Sequence, residues 1–223
     1  MFSRHAREEV EQKGYGRSFR KRQVGVMVDM LIQHTLQEAY ASTLPVLRLF
    51  TGSQHGETFG ERFANAIESG FEAGFERLII CGTDTPDLTS EQFLSVAAKL
   101  NTHQLILGPS ADGGVYLIGI HRQAYNRKSF LEIPWLTARV CDALVAYAHK
   151  STCTVTLEQT THDIDDGRAI WNWFGNTKPN WFSALLCSIL ESSKNRMPVL
   201  LQQVYIDTSP SLSFSRRGPP NVH

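Results

Sequence analysis

The sequence predicts a single α/β domain in three layers, with helices on both faces of a mostly parallel sheet. Short apolar runs of strand length alternate along the chain with longer segments of helical periodicity. Two of these runs, residues 77–81 and 104–108, are almost uninterrupted, as is typical of strands covered on both faces. The length of 223 residues suits one such domain, which we expect over residues 1–206. Residues 207–223 lack periodicity and are predicted to form a mobile tail.

The helices are predicted from apolar residues spaced three and four positions apart. Residues 23–41 show this spacing, and so does the segment that begins at Thr58, where Glu61 completes a capping box. Thr89 is the expected N-cap of a helix over 89–100. Further helices are predicted over 137–149, from about Asp166 onward, and over 180–190.

The predicted strands are short and lie between these helices. They cover residues 45–50, 77–81, 104–108, 115–120, 152–157 and, less regularly, 199–206. Because most of them are separated by helices, we expect parallel neighbours in the sheet.

Composition excludes several classes of partner. Lys plus Arg and Asp plus Glu both number 22, so the whole chain carries no net field to attract nucleic acid or an anionic membrane. No apolar stretch approaches the roughly 20 residues that span a bilayer, and the charged N-terminus is unlike a signal peptide. The four cysteines lack zinc-type spacing. We therefore expect a cytoplasmic protein without nucleic-acid or membrane partners.

Two carboxylates follow the apolar run at residues 77–81. Asp84 lies two residues after Gly82, at the carboxyl end of a predicted strand, where open parallel sheets bind ligands. Carboxylates in that position are hard oxygen ligands for Mg²⁺ or Mn²⁺, which can in turn hold a diphosphate. Asp87 is equally well explained as part of the turn into the next helix, so Asp84 is the stronger candidate.

A glycine pair marks a second candidate position. Asp112 precedes Gly113 and Gly114 between two predicted strands. Glycines allow positive φ or close approach of a ligand to the backbone, although the same pattern is also a common turn.

Three acidic residues crowd together after the predicted strand at 152–157. Asp163, Asp165 and Asp166 would repel one another unless a cation or a helix N-terminus neutralises them. Asp166 would also serve as the N-cap of the following helix. A capped helix with solvated acids explains Asp165 and Asp166 as well as ligand binding does, but it explains Asp163 less well.

Four motifs in this order and spacing resemble the DUF2064 family, a glycosyltransferase-A-like group of the nucleotide-diphospho-sugar transferase superfamily. They are GTDTPDLT, LGPSADGGVYLIGI, IPWLTARV and HDIDD. The stretch TGSQHGETFGERFANAIESGF is similar to the family segment just upstream of them. The resemblance runs from about residue 51 to 174.

The resemblance implies a fold in which a divalent cation, Mg²⁺ or Mn²⁺, clamps the diphosphate of a nucleotide donor. Asp84 would be the counterpart of the acidic residue that ends the central strand, and Asp163 would supply a carboxylate from the opposite side. Both are expected to be catalytic and to bind the metal, with Asp165 as a further ligand. The expected substrate-binding residues are Gly82, Asp112, Gly113, Gly114, Trp135 and Thr137.

Two of the remaining candidates have a plain structural alternative. Trp135 would stack on a sugar ring or base, with Thr137 as its hydrogen-bonding neighbour, or else pack on the core as a loop tryptophan. Arg62 would bind a phosphate bidentately, but a helical arginine beside Glu61 is more often a surface residue.

Three functions fit the motifs. The first is transfer of a sugar from a nucleotide-diphospho-sugar to an acceptor, which we expect. The second is nucleotidyl transfer, because small nucleotidyltransferases have D-x-P and D-I-D motifs similar to Asp84-Thr85-Pro86 and Asp163-Ile164-Asp165. The third is a non-catalytic relative that binds a nucleotide or a partner protein.

The amino-terminal sequence departs from the family pattern. Relatives begin with a strand that ends in a basic segment, typically Lys-Thr-Arg, whereas this chain opens at MFSRHAREEV. The expectation is that the first strand is missing or that the start lies too far downstream. Residues 199–206 or a second copy in a homo-oligomer would then cover the sheet edge. Arg4 and Lys13 are weaker candidates for the phosphate contact.

Overall fold

The computed structural model describes residues 1–4, 21–165, 167–177 and 180–191. Within these residues there are seven α-helices and four β-strands. The helices are α1 (Lys21–Ala41), α2 (Phe59–Glu72), α3 (Ser90–Lys99), α4 (Arg127–Leu131), α5 (Val140–Lys150), α6 (Gly167–Asn176) and α7 (Trp181–Glu191). The strands are β1 (Arg77–Cys81), β2 (Leu105–Pro109), β3 (Val115–His121) and β4 (Val155–Leu157).

The sheet has the strand order β1-β3-β2-β4 and is mixed. Strand β3 runs antiparallel to both β1 and β2, and β2 pairs with β4 in parallel. The prediction of mostly parallel pairing is therefore wrong for the described strands, although β1, β2 and β4 do share one direction. The reason lies in residues 110–114, because a connection of this length joins only antiparallel strands.

Helices cover both faces of this sheet, which confirms the three-layer prediction. Along β2 the side chains alternate, as the strand geometry requires. Leu105 and Leu107 are fully buried against a cluster formed by α2, α4 and α5. Ile106 is buried on the other face, in a cluster with Phe93 and Val96 of α3. A third apolar cluster joins α1, α6 and α7.

Most predicted elements are confirmed, including their caps. Thr58 and Glu61 form the predicted capping box of α2, and Thr89 caps α3 together with Gln92. The predicted strand at 45–50 is wrong: its only bridge in the described residues joins Leu49 to Phe2. The predicted strand at 199–206, the Asp166 cap and the tail at 207–223 lie outside the described residues.

Helix α4 was not predicted, because five residues are too few to show helical periodicity. Its one sequence signal is Asn126, whose side chain accepts a hydrogen bond from the Ser129 N–H and caps the helix.

The first residues of the chain lie beside the carboxyl end of β1. The Phe2 N–H donates to Cys81 O at 3.0 Å, and the Ser3 N–H donates to Leu49 O at 3.2 Å. The Gln54 side chain donates from Nε2 to Ser3 O at 2.7 Å. Residues 1–4 are thus bound between β1 and the extended segment that contains Leu49.

Two findings concern the cellular setting. None of the described helices is both long and apolar enough to cross a membrane. The four cysteines are free thiols, and burial raises the pKa of the Cys81 thiol, so that it stays protonated near neutral pH. The cytoplasmic location stays a prediction.

Candidate functional site

A cleft of about 880 Å³ opens at the edge of the sheet where β1, β2 and β4 end and β3 begins. Its walls come from the loops that follow these strands, from residues 1–4, from the start of α2 and from the loop before α5. Of the predicted site residues, it brings together Gly82, Asp84, Asp112, Gly114, Trp135, Thr137, Asp163 and Asp165. Gly113 does not line it.

Asp84 is placed by the glycine two residues before it. A Cβ added at Gly82 would lie 2.8 Å from Asp84 Oδ1, which is closer than real Cβ contacts come. The Asp84 carboxylate therefore folds back over the Gly82 backbone, a position that any larger residue would block. Strand β3 holds this turn, since the Gly82 N–H donates to Tyr116 O at 3.3 Å.

Asp84 and Asp163 come together because their two loops are bonded to each other. The Ile164 N–H donates to Asp84 O at 2.8 Å. The Thr85 hydroxyl donates to Asp163 Oδ1 at 2.5 Å. Burial and the negative charge of Asp84 raise the pKa of Asp163 to about 7, and Asp165 acts in the same direction more weakly. The Asp163 carboxyl group therefore keeps its proton to a higher pH than an exposed aspartate does.

The oxygen donors suit a cation that is bound together with phosphate. Within the described residues no group of three His, Cys, Asp or Glu side chains is arranged to hold a metal ion by itself. Asp84, Asp163 and Asp165 are thus not a ready-made three-ligand cage. Mg²⁺ commonly takes only one or two carboxylates and completes its shell with water and substrate phosphates. The close Asp84 and Asp163 pair fits that pattern, since a cation would relieve its repulsion.

The glycine pair shapes a turn. The Gly114 N–H donates to Asp112 Oδ1 at 2.8 Å, so the carboxylate is used in an Asx-type turn at the cleft wall. Gly113 has a φ of +88°, and a Cβ there would lie 2.0 Å from Ala138 O. Its carbonyl accepts a hydrogen bond from the Cys141 N–H at 3.0 Å. Gly113 therefore docks the loop before α5 against the β2-β3 turn.

Trp135 belongs to an aromatic wall on one side of the cleft. Its ring packs against Phe59, Phe63 and Phe130, with centroids 5.8, 5.1 and 4.9 Å away. Its Nε1 donates to Phe130 O at 3.1 Å, so the ring is held by the core and offers the cleft its remaining surface. The Thr137 hydroxyl donates to Pro134 O at 2.7 Å and fixes the same loop.

Leu136 lies between these two residues and was not predicted. It lines the cleft, is 70% exposed, and has a φ of 63°, in the left-handed region that non-glycine residues rarely adopt. An exposed leucine has no sequence signal of its own.

Several other polar residues of the site were missed or ranked low. Arg4 and Arg62 are the basic residues among the described lining, and Arg62 is oriented by a hydrogen bond from Nη1 to Glu57 O at 2.9 Å. The hydroxyls of Ser3 and Thr83 share a hydrogen bond of 2.8 Å, which ties the amino-terminal residues to the loop that carries Asp84. Hydroxyl residues in loops are too common to be found by pattern.

The loop after β1 is also supported from behind. The Trp173 Nε1 of α6 donates to Asp87 Oδ1 at 2.9 Å, and Asp87 does not line the cleft. His34 Nε2 of α1 lies 3.0 Å from Pro86 O and is the donor, since a carbonyl only accepts. Asp87 therefore has a structural contact, in agreement with its interpretation as a turn residue.

The family model of DUF2064, described as "Uncharacterized protein conserved in bacteria", matches residues 20–137. The chain belongs to this family. The match includes GTDTPDLT and LGPSADGGVYLIGI, begins upstream of the predicted limit at 51, and ends within IPWLTARV. HDIDD, at residues 162–166, lies beyond it. The family prediction is confirmed, and the stretch that carries it is corrected.

Among solved structures, the chain is similar to a candidate nucleotide-diphospho-sugar transferase from Desulfovibrio desulfuricans G20. The two are 20% identical and superpose with a TM-score of 0.68, over 84% of this chain and 92% of the other. At this identity the similarity shows the fold alone, and it confirms the predicted nucleotide-diphospho-sugar transferase-like fold. Among curated proteins no match is found.

Replacement of Gly113 by alanine tests its docking role, with Gly74 as a matched control. Both glycines have positive φ, but a Cβ at Gly74 meets nothing within 4 Å. We expect Gly74→Ala to cost about 1–2 kcal/mol of unfolding free energy, the cost of a left-handed residue. Gly113→Ala should cost clearly more, because Ala138 O must also move. Urea denaturation measures both, and equal losses would contradict the docking role.

The raised pKa of Asp163 predicts that the stability of the protein depends on pH. Its pKa is raised in the folded state, so its contribution is complete below the ordinary value of 3.8 and is lost as pH rises through about 7. We expect the melting temperature of the wild type, measured without divalent cations, to fall relative to Asp163→Asn between pH 4 and 8. Asp84→Asn should reduce the fall, because it removes the neighbouring charge. Parallel curves for wild type and Asp163→Asn would contradict the raised pKa of Asp163, and an unchanged fall in Asp84→Asn would show that the two carboxyl groups do not interact.

Proposed function

We propose that the protein is a metal-dependent transferase that moves a sugar from a nucleotide-diphospho-sugar to an acceptor. The observation that carries the proposal is one cleft lined both by Asp84 and Asp163, whose loops are hydrogen-bonded to each other, and by two arginines, Arg4 and Arg62. Acidic residues would bind a divalent cation and basic residues would bind phosphate. Such a site suits a diphosphate that is bound together with a cation.

The size and position of the cleft support this assignment. A volume of about 880 Å³ lies toward the upper end of the usual range for small-molecule sites, as a ligand with base, ribose, diphosphate and sugar requires. Ligands of open α/β sheets bind outside the carboxyl ends of the strands, which is where β1, β2 and β4 end.

We assign the following roles to the residues that line the cleft. Arg4 and Arg62 would bind diphosphate oxygens, since guanidinium groups match phosphate geometry. Trp135 and its aromatic neighbours would offer an apolar surface to a sugar or base. Gly82 and Gly114 would leave room for the Asp84 and Asp112 carboxylates at the wall of the cleft. Asp84 and Asp163 would hold a divalent cation, with Asp165 near the rim.

Mg²⁺ or Mn²⁺, when bound, would stabilise negative charge on the leaving diphosphate. The chain's contribution is then mainly orientation and electrostatic preorganisation, because the donor bond is already activated by its phosphate leaving group. Asp84 and Asp163 are suited to this role by their hydrogen-bonded loops, which fix the positions of the two carboxyl groups before the ligand arrives.

A thermal-shift experiment tests ligand and cation together. We expect a nucleotide-diphospho-sugar with Mn²⁺ or Mg²⁺ to stabilise the wild type by about 2.7 kcal/mol at 100 times its Kd. For a chain of this length the shift in Tm is roughly 5–10 °C. Asp84→Asn should lose the shift, because it removes one charge from the proposed cation site.

Asp87→Asn is the matched control. Asp87 stands on the same loop and outside the cleft, and an asparagine oxygen can still accept the hydrogen bond from Trp173. It should keep the full shift. A shift that persists in Asp84→Asn, or that does not need the cation, would refute the assigned site. If no nucleotide-diphospho-sugar stabilises the wild type, the transferase proposal fails.

The products decide between the two transfer chemistries. Sugar transfer releases a nucleoside diphosphate, whereas nucleotidyl transfer consumes a nucleoside triphosphate and releases pyrophosphate. We expect slow release of nucleoside diphosphate from a donor panel, by transfer to water when no acceptor is present, and no pyrophosphate from triphosphates. Stabilisation and pyrophosphate release with triphosphates alone would assign the protein to nucleotidyl transfer instead.

A further inference from the structure

Thr85 is a buried hydroxyl residue at the point where two loops of the cleft meet. Its side chain is 3% exposed, and it follows Asp84 directly in the sequence. Its hydroxyl donates to Asp163 Oδ1 at 2.5 Å, across 78 positions of the chain. Thr85 is thus the chain neighbour of one proposed cation ligand and the hydrogen-bond partner of the other.

The Asp163 side chain needs such a restraint. It lines the open cleft, on a loop that is hydrogen-bonded to the loop of Asp84. An aspartate in that situation gains by rotating toward water, and its side-chain entropy also favours release. A hydroxyl has one proton to donate, and Thr85 gives it to this carboxylate. The bond opposes both tendencies.

The backbone that carries Thr85 is itself fixed. The Leu88 N–H donates to Thr85 O at 3.2 Å and closes the turn. His34 binds the next carbonyl, that of Pro86, at 3.0 Å. Ile164, which follows Asp163, donates its N–H to Asp84 O and is fully buried. The Thr85 hydroxyl is therefore held at a defined place relative to Asp163.

We propose that Thr85 is a positioning residue that fixes the Asp163 carboxylate for a divalent cation. The inference rests on the proposed function, since it concerns the same cation site. With Oδ1 held by Thr85, the Asp163 carboxyl group would meet the cation in one fixed orientation. Partners that orient metal ligands in this way typically contribute about 10- to 100-fold to metal affinity.

Two substitutions at Thr85 separate the effect of its hydroxyl group from the effect of its size and shape. Valine keeps the volume and removes the donor, whereas serine keeps the donor and removes a methyl group. We expect Thr85→Val to weaken Mn²⁺ binding by about 10-fold or more. Thr85→Ser should remain close to wild type. Mn²⁺ titration followed by electron paramagnetic resonance measures this on the full chain, with and without a nucleoside diphosphate, and circular dichroism checks the fold.

Thr161→Val is the matched control. Thr161 stands two positions before Asp163, and its buried hydroxyl oxygen has no hydrogen-bond partner among the described residues. Removing it should leave Mn²⁺ affinity unchanged, because it orients no ligand. A loss as large as that of Thr85→Val would mean that any change near Asp163 weakens the site, which overturns the specific role of Thr85.

The remaining outcomes distinguish this inference from the proposed function. If the wild type binds Mn²⁺ and Thr85→Val binds it equally well, the positioning role is overturned while the proposed function stands. If Thr85→Ser is as weak as Thr85→Val, any change at this position weakens the site, and the specific role of the hydroxyl is overturned. If the wild type binds no Mn²⁺ with or without nucleotide, the cation site of the proposed function fails, and the role of Thr85 fails with it.

Discussion

The candidate site depends on one backbone hydrogen bond, from the Ile164 N–H to Asp84 O. It joins the loop after β1 to the loop after β4, although β1 and β4 lie at opposite ends of the described strand order. Ile164 is fully buried in the apolar cluster of α1, α6 and α7. The free energy that packs this cluster therefore also holds the two acidic loops together, against the repulsion of their carboxylates.

The same helices support the Asp84 loop at further points. His34 and Glu38 of α1 bind Pro86 O and the Ser90 N–H, and Trp173 of α6 binds Asp87. These contacts lie behind the cleft and leave its lining clear. A site whose side chains are supported by buried neighbours keeps its geometry better than one built on loops alone. The helical layer is thus part of the site's architecture, although it contributes none of the predicted ligands.

The sequence predicted what local chemistry determines and missed what tertiary contacts determine. Capping at Thr58 and Thr89, the helices and the core strands follow from spacing and hydrogen-bonding side chains, and Asp84 follows from its place after β1. The direction of β3 was mispredicted because most strands in the chain are separated by helices, whereas β2 and β3 are joined by a short hairpin connection. The strand at 45–50 was mispredicted because apolar content does not supply a pairing partner. Gly113 was expected to face a ligand, whereas its positive φ serves a contact with Ala138 that no pattern reveals.

Under the proposed function, the charges of the cleft would make the binding of a cation and of a diphosphate depend on each other. Asp84 and Asp163 repel an incoming diphosphate, whereas Arg4 and Arg62 attract it, so an anion alone meets opposing forces. A divalent cation reverses the sign at the acidic side and removes the repulsion within the pair. Each ligand would therefore raise the affinity of the site for the other, and by linkage the effect would be reciprocal. Burial and the nearby charge of Asp84 raise the pKa of Asp163 in the free protein, and a bound cation would oppose both effects.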